Sequence, residues 1–86
     1  MSADRVDCLH RVLMQACVDR NYFITGDGRI GEAEAAALIG ISGGTLKNKR
    51  SEGSGPIAYR RGINGGKVSY QLHDIAQWIE EGRENY

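Results

Sequence analysis

Eighty-six residues, 41% hydrophobic and 26% charged with a formal net charge of zero, are enough for one small globular domain. They are too few for a two-domain enzyme and too apolar for a disordered charged tail. Nowhere do 18 apolar residues run together, and the N-terminal MSADRVDC has no apolar signal core, so neither a membrane span nor a secretion signal is expected and the compartment reads as cytoplasmic.

In chain order, Asp4 to about Arg20 places Val6, Leu9, Val12, Leu13, Ala16 and Cys17 at three- and four-residue spacing, which predicts an amphipathic helix. Its cysteines, Cys8 and Cys17, would lie about 13 Å apart along the axis and cannot bridge each other. With His10 and His73 they do not make a zinc set, so no metal and no cofactor is expected. Thr25-Gly26-Asp27-Gly28 is a dense turn signal that separates residues 1–28, helix and linker, from a second unit over residues 29–86.

That unit opens with an alanine-rich helix, Glu32 to Ile39, stopped by Gly40 at the position of a left-handed cap. Ile41 fills the corner and Ser42 offers an N-cap hydroxyl to a second short helix, Gly43 to about Arg50, anchored inward by Leu46. From Ser51 to Pro56 the sequence cannot sustain a helix. Ile57-Ala58-Tyr59 and Lys67-Val68-Ser69-Tyr70 then read as two short strands joined by a glycine-rich tip, with Tyr59 and Tyr70 flanking each other. A closing helix, about Leu72 to Gly82, carries Leu72, Ile75, Trp78 and Ile79 on one stripe. The fold class is mainly α with a small β-hairpin.

The zero net charge hides an asymmetry. From Gly43 to Tyr70, Lys47, Lys49, Arg50, Arg60, Arg61 and Lys67 face the single acid Glu52, a window of +5 against −5 for the rest. A basic helix and a basic hairpin in one fold make an electrostatic footprint for polyphosphate, and double-stranded DNA is the expected partner. The start of the second short helix, Ser42, Gly43, Gly44 and Thr45, is small enough for close approach. Lys47, Asn48 and Lys49 then offer ammonium and amide groups to phosphates or bases, with Asn48 suited to adenine. Arg60, Arg61, Asn64 and Lys67 on the hairpin would reach the flanking backbone or minor groove.

These pieces resemble the winged helix-turn-helix domains related to MerR regulators, and within them phage excisionases and AlpA-type activators. The resemblance spans Ile30 to Glu81 and rests on EAAALIGIS (Glu34 to Ser42), Thr45-Leu46, GSGPI (Gly53 to Ile57), GGKVSY (Gly65 to Tyr70) and DIAQWI (Asp74 to Ile79). It implies a winged helix-turn-helix with an extra N-terminal helix. It also implies a sequence-specific DNA-binding function, excisionase or transcriptional regulator, at the bacterial or phage nucleoid, with an integrase or further copies of the chain as partners and no catalysis. Lys49 stands where the family places a large apolar residue, and Gln71 where it places a capping Ser or Asp. The N-terminal stripe, outside the resemblance, serves either to cover a small core or as a dimer seam or docking face. Two other functions fit the residues: a DNA-recognition module like that of small terminase subunits, and a protein-interaction module that binds no nucleic acid. An EF-hand is excluded because Phe23 and Thr25 stand at its first and third ligand places, and a phosphate loop because Arg61 and Val68 replace its glycine and hydroxyl.

Overall fold

The computed structural model describes residues 3–60 and 67–83; the expected hairpin tip, with Arg61 and Asn64, lies outside them. The described chain is mainly helical: α1 (Ala3–Asp19), β1 (Arg29–Gly31), α2 (Glu32–Ile39), α3 (Gly43–Glu52), β2 (Ser69–Gln71) and α4 (Leu72–Glu81). The two strands form one small antiparallel sheet, with Ile30 opposite Tyr70. No helix among the described residues is long and apolar enough to cross a membrane.

Cap chemistry explains the α2–α3 corner. Gly40 has φ 93°, a left-handed conformation that strains any residue with a Cβ, and its N–H and that of Ile41 both bond to the Ala36 carbonyl. Two residues later Ser42 Oγ accepts from Thr45 N–H at 3.0 Å, and α3 begins. This helix runs two residues beyond the expected end, to Glu52, because the stop is Gly53 with φ 76° rather than the preceding polar pair. Gly53 N–H bonds to Arg50 O and Ser54 N–H to Lys49 O, the paired bonds of a Schellman turn.

The strand pairing differs from expectation. Ile57 to Tyr59 and Lys67 to Tyr70 meet at a single Tyr59–Ser69 bridge among the described residues, and β2 pairs instead with β1, where no strand is expected. Successive strand residues face opposite ways, so Tyr70 enters the core beside Ile30 while Tyr59 stays with Ser69 on the outer face. Tyr59 and Tyr70 therefore do not flank each other.

One core joins all four helices and the sheet. Val6, Leu13 and Cys17 of α1 lie in the same cluster as Leu46, Tyr70, Leu72 and Ile75. Helix α1 runs antiparallel along α4, with Arg5 bonded to Glu80 at 2.7 Å near one end and the rings of His10 and His73 edge to face at 5.8 Å further along. The stripe on α1 thus covers the core, except that Val12 is 63% exposed. At 100° per residue it falls about 120° around the helix from Val6, off the buried stripe. Trp78, expected to pack inside, is half-buried and donates its Nε1–H to Ser54 O at 2.9 Å, tying α4 to the segment after α3.

Glu32, Arg50 and Tyr70 form a polar joint at the edge of this core. Glu32 Oε2 accepts from Arg50 Nε at 2.8 Å and from the Tyr70 hydroxyl at 2.6 Å. Burial, then the bond to Glu32, pushes the Tyr70 hydroxyl up from 10.0 to about 12. The folded chain therefore holds this proton more tightly than the unfolded one. Its contribution is complete below pH 10 and is lost as pH rises to about 12. In urea titrations the unfolding free energy should fall by roughly 2–3 kcal/mol across that interval through this group. Tyr70→Phe should lack that component and start about 1–2 kcal/mol lower at neutral pH. An equal alkaline fall in both proteins would disprove the coupling.

Candidate nucleic-acid interface

Helix α3 separates its side chains sharply. Leu46 is fully buried and Arg50 turns back to Glu32, so Gly43, Gly44, Lys47 and Asn48 are left on the outer side, all exposed. Ser42 Oγ and Thr45 Oγ1 lie 2.8 Å apart, one donating to the other, so the second hydroxyl hydrogen remains free to point outward. Lys49 is half-buried, and its Cβ would stand 3.3 Å from a Cβ added at Gly55, so its stem lies against the chain that follows α3.

Neither glycine at the start of α3 is required by the fold. A Cβ at Gly43 would meet nothing within 4 Å, one at Gly44 only Ser42 Oγ at 4.0 Å, and neither has a positive φ. Glycine inside a helix costs about 0.5–1 kcal/mol relative to alanine. Two such residues at an exposed, unobstructed start leave stability unclaimed and the backbone bare to an approaching surface.

Ion pairing divides the basic residues of the positive window. Arg50 is held by Glu32, whose carboxyl is kept below its ordinary value first by the Arg50 hydrogen bond and then by Tyr70. Lys47, Lys49, Arg60 and Lys67 make no ion pair among the described residues. Arg60 and Lys67 are exposed and stand where the chain leaves and rejoins the described sheet edge. Arg60 borders two hollows, one shared with Arg50 and the segment Gly53 to Ala58, the other with Lys67 and Arg29. It therefore stands between the end of α3 and the sheet. Arg61 and Asn64 belong to the part of the chain outside the described residues.

Two residues near this surface, Arg29 and Phe23, are given no binding role by the sequence. Arg29 bonds to Asp27 at 2.9 Å and to Ser69 Oγ at 3.1 Å, and its guanidinium carbon sits 5.4 Å from the centre of the Tyr59 ring. The Thr25 hydroxyl, then Arg29, holds the Asp27 carboxyl below its ordinary value. Phe23 is 81% exposed and Tyr59 40%. The alternation in Arg29-Ile30-Gly31 was the one available signal for β1 and so for Arg29; nothing local marks Phe23 as an exposed aromatic.

A scan of the chain against protein-family models finds no match, and neither does a search of curated proteins.

Proposed function

We propose that the chain is a sequence-specific duplex-DNA-binding protein of winged helix-turn-helix type. Helix α3 lies in the major groove, and the segment from Arg60 to Lys67 follows the adjacent backbone or minor groove as a wing. In this reading Lys47, Arg60 and Lys67 bind phosphates, Asn48 reads a base edge, and Ser42 and Thr45 offer hydroxyls. The protein acts architecturally in the cytoplasm, as an excisionase or an AlpA-type regulator, with neighbouring copies or an integrase completing the assembly.

The observation that supports this most is the bare start of α3. Gly43 and Gly44, which the fold does not need, adjoin exposed Thr45, Lys47 and Asn48 on a helix where Leu46 is buried, Arg50 turns to Glu32 and Lys49 packs along the chain, with the exposed acid Glu52 at its far end. A helix entering a groove gains from missing side chains there, because its backbone can come close to the sugar-phosphate walls.

The test is a fluorescence-anisotropy titration of a mixed-sequence duplex at about 50 and 200 mM salt, a range over which several phosphate contacts change affinity by orders of magnitude. Wild type should bind and weaken steeply with salt. The double variant Gly43→Ala, Gly44→Ala should melt higher, by about 1–2 kcal/mol of added stability, yet bind at least about tenfold more weakly. No binding at either salt, or unchanged affinity in the stabilised variant, would reject the groove assignment.

A further inference from the structure

On the outer face of the sheet lies an open cleft of about 670 Å³, within the range of small-molecule sites. Among the described residues it is bordered by two exposed aromatic rings, Phe23 and Tyr59, by three cations, Arg29, Arg60 and Lys67, and by one acid, Glu34. Phe23 contributes nothing to the core, being 81% exposed, so its position is not explained by folding. Arg29 is neutralised by Asp27 and fixed by Ser69 over the Tyr59 ring, which makes it a rigid planar wall rather than a free charge. The two cations without an ion pair among the described residues, Arg60 and Lys67, supply the attraction for an anion. Glu34 lies back against β1, its Oε1 2.5 Å from where a Cβ on Gly31 would stand, so glycine there leaves room for the carboxylate.

Each of these groups matches one part of a nucleotide. Aromatic rings and guanidinium planes stack on bases, a carboxylate accepts from an exocyclic amine such as that of cytosine, and unpaired cations hold phosphate. A paired base presents no open face, so duplex DNA cannot use such a cleft without losing a pair. We propose that the cleft binds an unpaired nucleotide of single-stranded nucleic acid, its base against Phe23 and its phosphate against Arg60 and Lys67. This goes beyond duplex binding by α3 and depends on Phe23, which that reading does not use.

The experiment compares a labelled short oligodeoxycytidine with a labelled mixed-sequence duplex at low salt, using wild type, Phe23→Ala and Phe23→Tyr. Phe23→Ala should keep the wild-type melting temperature and lose about five- to a hundredfold in single-strand affinity, the loss of one stacked base. Its duplex affinity should stay within about twofold, since no phosphate contact is removed. Phe23→Tyr, which keeps the ring, should bind the strand as wild type does. Unchanged single-strand affinity in Phe23→Ala, or an equal loss on strand and duplex, would overturn the inference. So would displacement of the strand by micromolar cytidine monophosphate, which would assign the cleft to a free nucleotide. Strand binding that is lost in Phe23→Ala, with no duplex binding at all, would uphold the cleft and reject the groove reading of α3.

Discussion

Glu32→Ala is expected to lower the melting temperature by on the order of 10–25 °C. Glu32 opens α2, and its carboxylate accepts from both Arg50 near the end of α3 and Tyr70 in the middle of β2. The Arg50 and Glu32 side chains are only 14% and 22% exposed, so their attraction is poorly screened and their water has largely been given up. Alanine would strand a half-buried guanidinium and a buried phenol and remove an acid from the first turn of α2, where the helix dipole favours it. Together these are worth about 2–4 kcal/mol, a large share of what a domain of this size has. Glu32→Gln keeps acceptors for both partners and should lose less. The wild-type contribution is present above the ordinary carboxylate range and is lost as pH falls through the lowered value in the folded chain, so Glu32→Gln should also show a flatter acid limb. A Glu32→Ala protein melting within about 3 °C of wild type would show that the joint does not hold the elements together.

Removing Lys47, Arg60 and Lys67 together, each to alanine, is expected to reduce the salt slope of duplex binding by about 2.7, at about 0.9 per lost phosphate contact. At about 0.1 M salt that corresponds to an affinity loss of a hundredfold or more. All three are exposed and have no ion pair among the described residues. Arg50 serves as the opposite case: although it belongs to the same basic window, Glu32 already occupies it, so its loss should appear mainly in stability. Because the three side chains are exposed, the triple variant should melt within a few degrees of wild type. A slope unchanged from wild type would remove these residues from any phosphate contact.

What could be read from the sequence is what local chemistry decides. The α2–α3 corner followed from Gly40 and Ser42, because a left-handed cap and a hydroxyl N-cap are determined by one or two residues. The stripe on α4 followed from periodicity, and the exposed set on α3 from one inward leucine. Strand β1 was hidden because it is three residues long with a single buried side chain, Ile30, and its partner lies about forty residues further on. That omission led Tyr70 to be set beside Tyr59 across the hairpin, whereas it lies in the core opposite Ile30. The Glu32–Arg50–Tyr70 joint is likewise a product of tertiary placement, so Arg50 counted as a free cation until α2 and β2 were brought beside it. The exposure of Phe23 is likewise set by tertiary packing, with no local signal in the sequence.

The most direct measurement of the central claim is a titration of the isotope-labelled protein with mixed-sequence duplex, followed residue by residue through backbone amide NMR shifts at low salt. The account predicts perturbation at Gly43, Gly44, Thr45, Asn48, Arg60 and Lys67, with the exposed face of α1 at Asp7, Arg11 and Gln15 unmoved. Shifts confined to α1, or none at all at concentrations that saturate nonspecific DNA binders, would contradict it.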